Sequence, residues 1–243
     1  MRSSLSCVVL GLLLSSLPAS AEYTARAVIK ASDRAVLSGE VAASVKSLPL
    51  RAGDAFARGD VLVALDCAIY QEQATKVAAE LEAARIRRDN ASEMDALNSI
   101  GELEVALAMS DFAQAQAARN IARLNASRCT IRAPWNGRVV SVLVNEHEVI
   151  RQQQELIEVL ATEGLEAEVV VPAQWLRWLK PGLPLQLHVE SIEAVAQARV
   201  IALNPAIDAV SQTLTLRAEL IDVGALVPGM SASAVFMPEP EHP

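Results

Sequence analysis

RCTIRAPWNGRVV, residues 128–140, is where one kind of sequence becomes another. Upstream lies a long run of helix formers, and Cys129 stands at its end. Pro134 cannot continue a helix, Asn136-Gly137 is a turn signal, and Val139-Val140 opens a β-branched strand. The stretch therefore marks a helix–sheet junction with a cysteine on it. What that cysteine is for depends on the sequence either side.

From Cys67 to Ala133 there is no proline, and Gly101 is the one glycine. Ala, Glu, Gln, Leu and Arg fill the segment, all good helix formers. Tyr70, Ala74, Val77, Leu81 and Ala84 recur at heptad-like spacing. Leu103, Leu107, Ala117, Ile121 and Leu124 continue the pattern, with Ser110 and Gln114 as polar interruptions. Asp66 is placed to cap a first helix, and Ser99-Ile100-Gly101-Glu102 reads as a capping box restarting a second. Asn98 falls midway between Cys67 and Cys129. The reading is an antiparallel pair of helices of about 28 residues, each ~42 Å long. One continuous helix is the alternative, and the central Gly101 and the capping box speak against it.

The segments flanking this run match each other. Shifted by 94 positions, Val45 meets Val139, Leu48 meets Val142 and Leu50 meets Val144. Gly53-Asp54 then meets His147-Glu148, Phe56 meets Ile150, Leu62 meets Leu156, and Leu65 meets Val159. No gap is needed. Each half is a strand, an acidic turn and a short strand pair, and two halves would close one small sandwich. Chance alternation in two strand-rich segments is the bland alternative. If the halves pack together, Cys67 and Cys129 meet at the root of the helix pair, where a disulfide would pin it. Two buried free thiols are the competing reading. The chain-entropy description gives such a loop about 4 kcal/mol.

Beyond Glu163 come alternating segments at Leu165–Val171, Leu183–Glu190, Ala198–Leu203, Thr213–Ile221 and Ser231–Met237. Asn204-Pro205, Gly224 and Pro228-Gly229 punctuate them, and Thr24–Lys30 can add a strand. Short strands at this spacing point to a small antiparallel β-barrel. Trp175 and Trp178 sit on a short helix after Pro172 and read as barrel packing. The domain division is thus a leader over 1–21, a split sandwich over 22–66 and 130–161, helices over 67–129, a barrel over 162–237 and a disordered end over 238–243.

The leader reading rests on Arg2, the apolar run Val8–Leu14 and the small-residue site Ala19-Ser20-Ala21, with cleavage after Ala21. The apolar run is far short of the ~20 residues a membrane span needs. Removing residues 1–21 leaves 20 basic against 29 acidic side chains, a net charge of −9, which excludes nucleic acid as a natural partner. The leader implies an oxidising compartment, in which the two remaining cysteines are a disulfide candidate. His147, His188 and His242 fit no metal-ligand spacing, and no nucleophile elbow or phosphate loop is present. We therefore expect no catalysis, metal or cofactor. A lipoyl or biotinyl carrier would need a lysine at the turn between the halves, but Lys76 lies within a helix.

Three motifs in combination resemble a known family. They are Gly53-Asp54-Ala55-Phe56-Ala57-Arg58-Gly59-Asp60-Val61-Leu62 ending in Leu65-Asp66, Thr130-Ile131-Arg132-Ala133-Pro134-Trp135-Asn136-Gly137-Arg138-Val139, and Leu226-Val227-Pro228-Gly229-Met230 after Leu216-Arg217-Ala218. The chain is similar to the periplasmic adaptor subunits, the membrane fusion proteins of the HlyD class, of RND-type tripartite efflux pumps. The resemblance implies a mostly β fold with an inserted α-helical coiled-coil hairpin, the sandwich being a split lipoyl-like (biotinyl/lipoyl) domain beside the adaptor β-barrel. It implies an inner-membrane RND transporter and a TolC-type outer-membrane channel as partners, a homo-oligomer, and a periplasmic protein held at the inner membrane through them. An ABC or type I secretion adaptor and a non-transport scaffold are the alternatives. Relatives often build a further membrane-proximal domain from both termini, and with few residues after Met237 the expectation is that it is absent or vestigial here. The family's hairpin-tip motif, an Arg, a Leu four residues on and a Ser seven after that, falls on Asn90, Met94 and Gly101, none of which matches. Asn90, Met94, Leu97, Ile100 and Gly101 are the tip residues the resemblance assigns to partner binding, and ordinary tip packing is the competing role for Met94, Leu97 and Ile100.

Overall fold

The computed structural model describes residues 23–222 and 224–237, which divide into two units. The leader, its cleavage after Ala21 and the segment 238–243 lie outside the described residues. The N-terminal strands are β1 (Tyr23–Ala31), β2 (Arg34–Ser38), β3 (Ala43–Ser47), β4 (Ala55–Phe56) and β5 (Val61–Asp66). Helices α1 (Ala68–Ala96) and α2 (Glu102–Ser127) follow. Then come β6 (Thr130–Arg132), β7 (Gly137–Val142), β8 (Val149–Ile150) and β9 (Glu155–Ala161). The last strands are β10 (Leu165–Pro172), β11 (Pro184–Val189), β12 (Ala194–Leu203), β13 (Thr213–Leu220) and β14 (Ser231–Phe236). The chain is mostly β, with a six-stranded barrel and two long helices.

In the unit that carries the helices, strands form two four-stranded sheets, ordered β2-β9-β7-β4 and β6-β5-β3-β8. Each sheet draws on both halves of the sequence. Strands β3, β4 and β5 recur as β7, β8 and β9 at the 94-residue offset, and the two sheet orders interchange under it. The repeat reaches individual hydrogen bonds. Gly53 N donates to Val139 O at 2.8 Å, and His147 N donates to Val45 O at 2.8 Å. Gly59 N donates to Ala133 O at 2.8 Å, and Gln153 N to Gly39 O at 2.6 Å. The turn acids repeat too: Arg51 N donates to Asp54 Oδ2 at 2.8 Å, and Asn145 N to Glu148 Oε2 at 3.0 Å. Val45, Leu62, Val63, Ile150, Leu156 and Val159 are fully buried in one cluster fed by both sheets. Fixed strand, turn and strand lengths in both halves are why the sequence match runs without a gap.

The barrel closes in the order β1-β10-β13-β12-β11-β14. Period-two alternation puts Val169 and Val171, Leu185 and Leu187, Leu214 and Leu216, and Ala232 and Ala234 inside. β12 starts at Ala194, four residues before the strand the sequence shows, because Glu193 turns the chain at φ 50° and Ala194 pairs with Val189. Trp175 is buried against Tyr23, Trp178 and Phe236, with ring centroids 5.4 Å, 5.4 Å and 5.6 Å away. The tryptophans are packing residues of the barrel unit.

The packing face of one helix differs from expectation. α1 packs through Tyr70, Ala74, Val77, Leu81 and Ala84, the face its spacing predicts. α2 uses another face, along Val105, Ala108, Phe112, Ala115, Arg119 and Ala122. The expected residues Leu103, Leu107, Ile121 and Leu124 are 74%, 57%, 61% and 57% exposed. α2 carries two heptad-spaced rows, and the larger apolar side chains mark the wrong one. The root decides the phase. Cys129 continues the series Ala108, Ala115, Ala122 at seven-residue steps, so its bond to α1 turns the alanine row inward. Alanines there let the helix backbones approach closely.

Candidate interaction surface on the helical hairpin

The root of the hairpin is covalently closed. Cys67 and Cys129 form a disulfide with their Cα atoms 5.9 Å apart, 62 residues apart in sequence. Both sit in the apolar cluster of the two sheets. Leu65 N donates to Cys129 O at 2.9 Å, Tyr70 Oη donates to Ala42 O at 3.2 Å, and Arg128 Nε lies 2.7 Å from Glu40 Oε2. Asp66 offers Oδ1 to Ala68 N at 3.3 Å but is not the N-cap of α1, which is Cys67.

At the far end the turn is a Schellman motif. Asn98 takes φ 54°, Ser99 N donates to Met94 O at 2.9 Å, and Asn98 N to Asp95 O at 2.8 Å. The expected capping box does not form. Gly101 is the N-cap of α2 and has no side chain to offer, while Ser99 Oγ bonds Leu97 O at 3.3 Å. Glu102 and Glu104 in the first turn instead complement the helix dipole.

Asn90, Met94 and Ile100 come together around one open groove of about 390 Å³ between the helices. Arg87, Glu104 and Asp111 also line it and were not picked out from the sequence. Their signal was present, because Arg87 and Asn90 lie one helical turn apart, as do Glu104 and Ala108. Leu97 and Gly101 do not line the groove; Leu97 is 71% exposed at the end of α1. Lower down, Arg88 stacks on Phe112 with its guanidinium 4.2 Å from the ring centroid.

Residues 166–240 match the CusB-like, beta-barrel domain family. Over 90% of this chain and 82% of the other, the fold superposes on a MacA-MexA chimeric protein containing the Pseudomonas aeruginosa MexA α-hairpin domain, with a TM-score of 0.78 at 18% identity. The membrane fusion protein Spr0693 from Streptococcus pneumoniae R6 matches over 89% of this chain and 99% of its own, at a TM-score of 0.73 and 14% identity. The chain has the fold of a membrane fusion protein. ZneB from Cupriavidus metallidurans shares that fold at a TM-score of 0.56 and 22% identity, over 90% of this chain and 98% of its own. No curated protein sequence matches the chain.

Among the described residues no group of three or more His, Cys, Asp or Glu could hold a metal ion, and no helix is long and apolar enough to cross a membrane. His147 and His188 are exposed. What the hairpin offers is a stiff arm with a mixed apolar and charged tip.

Proposed function

We propose that this protein is a periplasmic adaptor linking an inner-membrane RND efflux transporter to a TolC-type outer-membrane channel, a non-catalytic component of export. The observation that carries the reading is the CusB-like barrel joined to a membrane fusion protein fold. The leader ending at Ala21 delivers the chain to the periplasm. The barrel, built from β1 and the strands over 162–237, faces the transporter, and the two-sheet unit, whose strands begin at Arg34 rather than at residue 22 and lie before Cys67 and over 130–161, is a lipoyl-like domain that carries the 67–129 coiled-coil hairpin. Asn90, Met94, Leu97, Ile100 and Gly101 present the tip to the channel, and copies of the chain assemble around the conduit. The root disulfide makes the arm rigid where it leaves the sheets.

The test is cross-linking in intact cells, followed by mass spectrometry of what a tagged copy captures. Recovery of an RND transporter supports the reading. Recovery of an ABC transporter moves the adaptor to that transporter class. Recovery of neither, with both present and detectable, overturns the transport role and leaves a scaffold.

A further inference from the structure

The sheet ordered β2-β9-β7-β4 has an outer face that is not polar. Val139 and Val159 point into the core, so alternation turns Arg138 and Val140 on β7 and Leu160 on β9 the other way. Arg138 and Leu160 are partners in the strand register. The outward face of an antiparallel sheet is ordinarily solvated and polar. Here Val140 and Leu160 lie on it, each half-buried. The segment 224–228 belongs to the same unit of the chain and lines the same cleft, with Leu226 buried and Val227 exposed. The cleft is open and holds about 590 Å³, inside the ~300–1,000 Å³ of small-molecule sites.

Charge decides what an occupant must carry. Among the side chains lining the cleft only Thr162 and Arg138 are polar, and Arg138 alone is charged. Arg138 Nη1 donates to Gly53 O at 3.0 Å, and among the described residues no carboxylate pairs with it. The acids beside it have partners of their own. Asp54, whose carbonyl accepts from Val139 N, takes Arg51 N on its Oδ2 at 2.8 Å. Glu158, two residues before Leu160, takes Arg34 Nε on its Oε1 at 2.8 Å. A guanidinium has more donors than one bond uses, and it meets a carboxylate in two-pronged geometry. A single cation suits a monoanion, whereas a phosphate dianion calls for a second. Apolar walls ask for an alkyl body, because burying it removes apolar surface on both sides from water.

We infer that this cleft is a binding site for an amphipathic carboxylate, with one alkyl chain against Val140, Leu160 and Leu226 and its head on Arg138. The inference goes beyond the adaptor reading, which asks the protein only to bridge. It gives the chain a ligand of its own.

The experiment is calorimetric titration of the purified protein with octanoate, decanoate and decanol, each below its aggregation limit. Decanoate binds one to a chain, about fourfold tighter for each methylene added over octanoate. Arg138→Gln weakens decanoate about tenfold or more and leaves decanol unchanged. Val227→Glu, at an exposed position, sets an acid in the cleft and weakens decanoate without moving the thermal melt, so the inference does not depend on Arg138→Gln folding normally. Absence of saturable decanoate binding overturns it, as does decanoate binding that neither variant weakens. Two other occupants would also overturn it. If the parent takes no decanoate and a chain ending at Met237 does, the cleft is filled by the chain's own last residues. If sedimentation shows a dimer that Val227→Glu dissociates, with no decanoate uptake, the cleft belongs to a second copy. Capture of a transporter in cells bears on the adaptor reading only, so the two fail separately.

Discussion

His147 is a residue in a glycine's place. It holds φ 68° where its counterpart Gly53 holds φ 91°, and its side chain is exposed. A side chain in the left-handed region costs ~1–2 kcal/mol. His147→Gly is therefore expected to stabilise the protein by about 1 kcal/mol in urea melts, and Gly53→His to destabilise it by a similar amount. The sequence already shows this site, because the 94-residue match sets the two side by side. Gln153, at φ 67° opposite Gly59, was not legible, since glutamine carries no signal for that backbone region. Asp208 is a second residue with a local task. Hydrogen bonds from Ser211 N, Ser211 Oγ and Val210 N hold its carboxyl below the usual carboxylate range. A depressed folded value means the contribution is present above the unfolded pKa and lost as pH falls through the folded one. Protection of the Val210 and Ser211 amides, corrected for intrinsic exchange, is expected to collapse on acidification below the carboxylate range, and to be low at every pH in Asp208→Ala.

At the level of elements, each end of the hairpin has its own lock. Asn98 supplies the left-handed residue that ends α1. Asn98→Val is expected to cost about 1–2 kcal/mol, and Asn98→Gly to change little, in chemical melts followed by helix signal. The disulfide is the other lock. Cys67→Ser is expected to lower stability by up to about 4 kcal/mol under oxidising conditions, and to match the parent in reductant. Equal melts in both conditions would show that the bond does not form in solution. The helix lengths, the α1 face and the cysteine pairing can all be read from the sequence, through composition, spacing and the repeat. The α2 face cannot. Periodicity finds a heptad row but not which of two rows turns inward, and the inner row alternates Ala108, Ala115 and Ala122 with Val105, Phe112 and Arg119, so it is less apolar than the outer one. The capping box fails for a related reason: Ser99 is already spent on the Schellman turn, one residue pair too early to cap α2.

For the whole molecule, fold and function separate. Alternation, turn residues and the repeat are local to the sequence, and they lead to the barrel and the paired sheets. The partner surface depends on what stands outside the chain, and only Asn90, Met94 and Ile100 of the five tip residues share a groove. Met94 and Leu97 allow a clean test of the adaptor reading. Both are exposed at the tip; Leu97 is the C-cap of α1 but caps through its backbone N–H, which a side-chain change keeps, and exposed substitutions usually change stability by under about 0.5 kcal/mol. A charge at either site would, in contrast, have to be desolvated on docking against an apolar surface. Met94→Glu with Leu97→Glu is thus expected to leave the melt unchanged, to keep transporter cross-links made through the barrel, and to abolish both channel cross-links and export. Export at the parental level from that double variant would mean the tip does not dock, and the mismatch at Asn90, Met94 and Gly101 would then mark a different contact with the channel. Loss of transporter cross-links as well would place the defect in assembly rather than at the tip.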